Sequence, residues 1–146
     1  MQTLPRSLRI LIADDHPFTR SDLRRALENA ELEVCAEAST GADAVTAAVR
    51  ERPDLCLLDV RMPGGDGITA TEAIRHRLPA TKIVLITAVP DEDGVLTAAR
   101  AGADGYLAKD MDPRTLPRVV RAVADGETSY PRHLMRPLLD AVRRGT

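Results

Sequence analysis

Leu8-Arg9-Ile10-Leu11-Ile12-Ala13-Asp14-Asp15 and Leu55-Cys56-Leu57-Leu58-Asp59 are near-continuous apolar runs that each stop abruptly on acid. Two further runs share the form: Ile83-Val84-Leu85-Ile86 stops on Thr87, and Gly105-Tyr106-Leu107-Ala108 stops on Lys109. Runs this short alternate with helical stretches and read as strands buried on both faces of a parallel sheet. An open α/β sheet gathers its ligands at the carboxyl ends of its strands. Asp14, Asp15, Asp59, Thr87 and Lys109 are therefore expected at one edge of one sheet. Three carboxylates, a hydroxyl and an ammonium form an inventory suited to a divalent metal and a phosphoryl group.

Helical signals fill the intervals. Pro17 opens a pattern carrying Phe18, Leu23, Ala26 and Leu27, and proline suits the first turn of a helix. Residues 32–38 alternate in part (Leu32, Val34, Ala36), as an edge strand does. Thr40-Gly41 introduces a helix with Ala44, Val45, Ala48 and Val49 on one face, which Pro53 closes. After the strand at 55–58, Met62-Pro63-Gly64-Gly65-Asp66-Gly67 makes a compact loop. Asp66 is placed to cap a helix carrying Ile68, Ala73, Ile74 and Leu78. Asp91-Glu92-Asp93 puts acid at the start of the next helix, where the macrodipole favours it, and that helix ends near Ala101-Gly102. Leu116, Val119, Val120 and Val123 recur at helical spacing in the fifth. Five β-α units specify a parallel sheet with helices on both faces. Pro117 falls where this last helix would be in its first turn if it began at Pro113. It would lose a backbone bond there and crowd a carbonyl. The helix is therefore expected to start late, around Thr115 or Leu116, or to bend. Asp125-Gly126-Glu127 reads as a stop, and residues 131–144 as one more amphipathic helix (Leu134, Met135, Leu138, Leu139, Val142).

The composition bounds the function. A 146-residue chain with 44% hydrophobic and 29% charged residues is an ordinary globular domain with a short extension. One Phe, two Tyr and no Trp leave the core to Leu, Val, Ile and Ala. A net charge of −2 argues against nucleic-acid binding as the main function of these residues. The charge is uneven: residues 1–112 carry 13 Lys/Arg against 19 Asp/Glu, and residues 113–146 carry 7 against 3. The basic tail reads as the solvated face of a helix more readily than as a nucleic-acid contact. Cys35 and Cys56 form no CxxC or metal-like spacing, and both are expected to be buried free thiols in a reducing cytoplasm. No signal peptide and no long apolar run is seen, so a cytoplasmic protein without a membrane span is expected. Lysine is rare here, with only Lys82 and Lys109 among the basic residues, so a lysine at a strand end stands out.

Asp14, Asp15 and Asp59 brought together would repel one another and raise each other's pKa values. A hard cation, Mg²⁺ or Mn²⁺, removes that conflict by taking carboxylate and phosphate oxygens. One carboxylate could then attack phosphorus, with Lys109 as counter-charge and Thr87 as a hydrogen-bond donor. Taken singly, a strand-end Asp is more often a cap or a turn former, and a lone Thr or Lys says little. The combination on four strand ends favours the phosphate site.

The stretches Ile10-Leu11-Ile12-Ala13-Asp14-Asp15-His16, Leu57-Leu58-Asp59-Val60-Arg61-Met62-Pro63-Gly64, Leu85-Ile86-Thr87-Ala88 and Gly102-Ala103-Asp104-Gly105-Tyr106-Leu107-Ala108-Lys109-Asp110 resemble the receiver domain of bacterial two-component response regulators. The likeness covers about residues 7–126. It implies a flavodoxin-like doubly wound sheet of five parallel strands in the order 2-1-3-4-5, with five helices and a C-terminal linker helix. It also implies that Asp59 accepts a phosphoryl group from a sensor histidine kinase or a small acyl phosphate. Asp14, Asp15, Asp59 and the Arg61 backbone carbonyl would hold Mg²⁺, while Thr87 and Tyr106 would form the switch pair. Tyr106 could instead be an ordinary strand aromatic, and its place three residues before Lys109 favours the switch. His16 is expected to be structural rather than a ligand. The Lys109-Asp110 junction and the tail from Gly126 resemble the NarL/LuxR-type DNA-binding subgroup. The expected organisation is an N-terminal extension at 1–7, the receiver at 8–126 and a linker helix at 127–146, with the DNA-binding output domain outside these residues.

The expected role is thus a phosphorylation-activated signalling switch for transcription rather than an enzyme. Its partners would be a histidine kinase and, through a face made by helix 4, strand 5 and helix 5, a homodimer, with no membrane contact. Pro117 leaves the dimer mode open. Alternatives are a stand-alone receiver acting by protein contact, a phosphorylation-independent receiver, and an aspartyl-phosphate phosphatase of the haloacid-dehalogenase type. The last wants a second Asp two residues after the nucleophile, where this chain has Arg61. A nucleotide or flavin fold finds no support, since GxGxxG and P-loop motifs are lacking.

Overall fold

The computed structural model describes residues 7–64 and 66–145. The expected N-terminal extension, apart from Ser7, lies outside the described residues, as do Gly65 of the compact loop and Thr146. Along the chain run β1 (Arg9–Ala13), α1 (Pro17–Asn29), β2 (Glu33–Ala38), α2 (Gly41–Glu51), β3 (Leu55–Asp59), α3 (Gly67–Arg77), β4 (Lys82–Thr87), α4 (Glu92–Ala101), β5 (Gly105–Ala108), α5 (Leu116–Ala124) and α6 (Met135–Arg143). The strands form one sheet in the order β2-β1-β3-β4-β5, and each neighbouring pair is parallel. This is the doubly wound, flavodoxin-like arrangement implied by the sequence.

Side chains alternate across the sheet, so each central strand feeds two cores. Leu11, Cys56, Leu58, Ile83 and Leu85 pack with α2, α3 and α4 on one face. Ile10, Ile12, Leu55, Leu57, Val84 and Ile86 meet Leu27 of α1 and Leu116, Val120 and Val123 of α5 on the other. Burial on both faces is why these strands read as apolar runs rather than as alternating patterns. Each fully buried Leu or Ile contributes roughly 1.5–3 kcal/mol.

β2 departs from its expected alternation. Ile10 pairs with Val34 but Leu11 pairs with Ala36, a bulge that skips Cys35. The extra residue moves the rest of the strand to the other side. Leu32 and Val34 therefore join the α1–α5 core, while Ala36 and Ala38 join the α2–α4 core. Cys35 is left half-buried, not buried as expected, whereas Cys56 is fully enclosed. On α2 the buried positions are Gly41, Ala44, Ala47 and Ala48. Val45 and Val49, expected on that face, are only half-buried, because small residues let α2 lie close to β1 and α3. A similar shift on α3 buries Gly67, Ala70, Thr71 and Ile74 and leaves Ile68 and Ala73 half-buried.

Capping follows the sequence. Thr40, Asp66 and Asp91 accept hydrogen bonds from the amides of Asp43, Thr69 and Gly94. The late start of the fifth helix is also seen. Asp112 caps a 3₁₀ turn over Pro113–Thr115, and α5 begins at Leu116, so Pro117 sits in its first turn, where no N–H is needed.

Beyond α5 the chain returns to the free edge of β5. Ser129 N–H donates to Asp104 O (3.0 Å), Tyr106 N–H donates to Ser129 O (2.8 Å), and the Tyr130 hydroxyl donates to Ala103 O. A single parallel bridge joins Gly105 and Ser129. From there α6 packs along α4. The expected apolar face is met in part: Leu134 is buried and Leu138 half-buried as expected, whereas Met135, Leu139 and Val142 are exposed and Ala141 is buried instead. Ala141 is the buried residue within α6 itself. No helix among the described residues is long and apolar enough to cross a membrane.

Candidate phosphoacceptor and metal site

The ends of β1, β3, β4 and β5 converge as the sequence requires. Asp14 is wholly buried and held by its backbone: its N–H donates to Ala38 O (3.0 Å), and its own carbonyl accepts from Arg20 Nη1 (2.7 Å). Asp59 closes β3 and is 3% exposed. One of its oxygens, Oδ1, accepts from the Arg61 amide (3.1 Å), and the other, Oδ2, accepts from Lys109 Nζ (2.7 Å). Lys109 also stands 3.2 Å from Asp14 Oδ2, and its amide donates to Thr87 O (2.8 Å), which ties the β5 end to the β4 end. Gly67 lies against the end of β3. Its amide donates to Val60 O, and a Cβ there would stand 3.0 Å from the Asp59 carbonyl carbon and 3.1 Å from Leu85 Cδ2.

The acids form a cluster fit for a hard cation. Ligand atoms of Asp14, Asp15, His16 and Asp59 lie within 4.8 Å of one another. Asp14 Oδ2 and Asp15 Oδ1 are buried and accept no hydrogen bond. Their nearest nitrogen neighbours are Lys109 Nζ at 3.2 Å from Asp14 Oδ2 and His16 Nδ1 at 3.1 Å from Asp15 Oδ1. Buried carboxylate oxygens are costly without a partner, and oxygen-rich, unpartnered sites are what Mg²⁺ selects. Beside them Asp15, Arg61, Met62, Pro63 and Asp66 line an open depression of about 420 Å³. His16, read from sequence as structural, has its amide donating to Asp14 Oδ1 (2.9 Å) and its ring facing Asp14 and Asp15.

Burial pushes the Asp59 carboxyl above the usual carboxylate range. The Lys109 ammonium and the Arg61 amide pull it back, and Asp14 adds to the rise. For Lys109, burial favours the neutral amine, but Asp59 and Asp14 outweigh it, so the group is held above its ordinary value. A protonated Lys109 is thus fixed against the Asp59 carboxylate.

Thr87, at the end of β4, is buried, and Tyr106 on β5 is buried too. Burial raises the Tyr106 phenol, with the Asp91 amide and the Thr87 hydroxyl as polar neighbours acting against that rise. The two expected switch residues therefore meet beneath the first turn of α4. Three contributors were not read from the sequence. Arg20 grips the Asp14 carbonyl while its Nε donates to Glu37 Oε1 (2.9 Å). Gly94 and Ser129 lie against Tyr106. Only tertiary placement brings them there, and no local pattern announces it.

The family model for the response regulator receiver domain matches residues 10–121. The chain belongs to the response regulator receiver family, and within it stands with receivers of the NarL/LuxR type. It is 40% identical over 124 residues to the transcriptional regulatory protein YxjL of Bacillus subtilis, covering 84% of this chain and 57% of that protein. It is 38% identical over 119 residues to the nitrate/nitrite response regulator NarL of Escherichia coli, covering 81% and 55%. Among solved structures it resembles the signal receiver domain of the response regulator NarL from Mycobacterium tuberculosis, with a TM-score of 0.81 and 37% identity over 84% of this chain and all of that one. A LuxR-family response regulator from Aurantimonas gives a TM-score of 0.85 and 31% identity over 92% and 97%. The chain spans a little over half the length of the curated relatives it matches.

Proposed function

We propose that this receiver is a phosphorylation-operated switch with Asp59 as the phosphoacceptor. An Asp59 carboxylate oxygen attacks the phosphorus of a phosphohistidine on a sensor histidine kinase. The O–P bond forms as the P–N bond breaks, and the imidazole leaves with the electron pair. Lys109, already 2.7 Å from Asp59 Oδ2, balances the negative charge gathered at the phosphoryl oxygens. Thr87 donates a hydrogen bond to one of those oxygens. Asp14, Asp15, Asp59 and the Arg61 carbonyl would hold Mg²⁺ or Mn²⁺, which when bound neutralises the carboxylates and orients the incoming phosphoryl group. The domain assists only its own phosphorylation and dephosphorylation and has no other substrate.

Phosphorylation adds a charge of about −1.5 to −2 and three strong acceptors. Recruiting Thr87 to the phosphoryl group changes what Tyr106 packs against and so biases the face of α4, β5 and α5. In the whole regulator this governs homodimerisation and a DNA-binding output in the cytoplasm, as in the transcriptional regulators it resembles. The observation that carries the reading is the pair of buried, unsatisfied carboxylate oxygens next to an acceptor already paired with lysine.

The test is incubation with acetyl phosphate, followed by intact mass. One phosphoryl adduct is expected with Mg²⁺, none with EDTA, and none on Asp59→Asn. An equal adduct on the variant, or no adduct on the wild type from either acetyl phosphate or a phosphorylated kinase, overturns the proposal.

A further inference from the structure

Gly94 is the third residue of α4, and its backbone is not in the left-handed region. Neither φ nor a helix end calls for glycine here, and glycine is among the poorest helix formers. Its amide donates to the capping Asp91 Oδ1 (2.7 Å), a backbone bond that does not by itself require glycine. What glycine alone provides is space. A Cβ at this position would fall on the Tyr106 hydroxyl, 2.9 Å from Tyr106 Cζ and 2.8 Å from Asp91 Oδ1. The phenol thus occupies the volume that a side chain at residue 94 would fill.

The backbone beneath that ring is fixed. Tyr106 N–H donates to Ser129 O, so the strand is clasped on its outer edge by the returning chain. Val95, Ala98 and Leu134 belong to the same buried cluster as the ring. With the main chain held, the ring has two choices: enter the notch in α4 or leave the core by rotating about its side-chain bonds.

We infer that Gly94 is a positioning residue of the switch: its missing side chain is the seat of the Tyr106 hydroxyl, and that seat sets how readily the ring lies inward. This deepens the switch reading above and rests on it for its signalling consequence. The notch itself stands on geometry alone. A side chain at residue 94 would hold Tyr106 outward whatever the state of Asp59.

The test uses the full chain as wild type, Gly94→Ala, Tyr106→Ala and the double variant. Urea unfolding is followed for all four, and the ¹⁹F resonance of 3-fluorotyrosine is recorded for the two that keep Tyr106, with Tyr130→Phe assigning the signals. With Tyr106 present, G94A lowers the unfolding midpoint and moves the Tyr106 resonance to a solvent-exposed position. In the Tyr106→Ala background the same change raises the midpoint, because alanine is the better helix former. Failure of G94A to fold only when Tyr106 is present is the extreme of the same result. A midpoint shift of equal sign and size in both backgrounds with an unmoved resonance, or failure to fold in both, overturns the inference. A wild type that takes no phosphoryl group overturns the phosphoacceptor reading instead, and leaves these outcomes to decide the notch.

Discussion

The two ends of the sheet treat charge in opposite ways. At the amino-terminal ends of the strands, Arg75 reaches across from α3 and donates to the carbonyls of Pro79, Thr81 and Gly102 and to Asp104 Oδ2. The same Asp104 oxygen accepts the Ile83 amide, and Asp54 accepts the Arg9 amide. Opposite charges are matched there, and backbone groups between the strands are satisfied. At the carboxyl-terminal ends, Asp14, Asp15 and Asp59 crowd together with two buried oxygens unsatisfied. One end is arranged for cohesion. The other retains an electrostatic conflict that a ligand can relieve, a common signature of functional sites.

If that contrast is right, damage at the two ends has different consequences. Arg75→Ala is expected to do the greatest harm to the fold. It removes the arginine from three carbonyls and from Asp104, which keeps only the Ile83 amide on that oxygen, for a loss of about 3 kcal/mol, while Mg²⁺ binding at the far end is retained. Urea unfolding with and without Mg²⁺ checks both. Asp14→Asn acts in the reverse sense. Removing one of three crowded charges is expected to raise stability in metal-free buffer by about 1 kcal/mol, with loss of the response to Mg²⁺. A fall in stability of the same size as for Arg75→Ala would dissolve the distinction.

The smallest effect concerns the clasp beside Asp104. Burial, aided by the Asp104 carboxylate and opposed by Arg75, pushes the Tyr130 phenol up to about 12. The folded protein therefore holds this proton more tightly than the unfolded chain, whose phenol titrates near its ordinary value of 10.0. The stability it contributes is complete below about pH 10 and is lost as pH rises through about 12. Tyr130→Phe is expected to flatten the decline of the urea midpoint over that window. An unchanged decline would place the titrating group elsewhere.

Most of the candidate site was legible because its main residues end apolar runs, and strand ends in a parallel sheet meet by topology rather than by detailed packing. Asp14, Asp59, Thr87 and Lys109 needed only the strand order to be brought together. The late start of α5 was legible in the same local way, since Pro117 limits where a helix can begin. What escaped depends on side-chain volumes across elements. The bulge at Cys35 reverses the facing of half of β2, and nothing in the alternation of Leu32, Val34 and Ala36 marks it. On α6 the stripe read from periodicity held for Leu134 and Leu138, but Ala141 is buried in place of Met135, Leu139 and Val142, a choice set by tertiary packing. Arg20 and Gly94 act on Asp14 and Tyr106 through contacts that no spacing in the sequence encodes.

The contrast between the two ends is tested most directly by the stability gained from Mg²⁺. A cation that binds only the folded protein, supplied at about tenfold its dissociation constant, adds ~1.4 kcal/mol to the unfolding free energy. Urea unfolding across a Mg²⁺ titration is expected to show a gain that rises with the logarithm of Mg²⁺ above its dissociation constant for the wild type and for Arg75→Ala, and no gain for Asp14→Asn or Asp59→Asn. An equal gain in all four proteins, or no gain in the wild type, would contradict the assignment of the carboxyl-terminal edge as the site where cation and phosphoryl group meet.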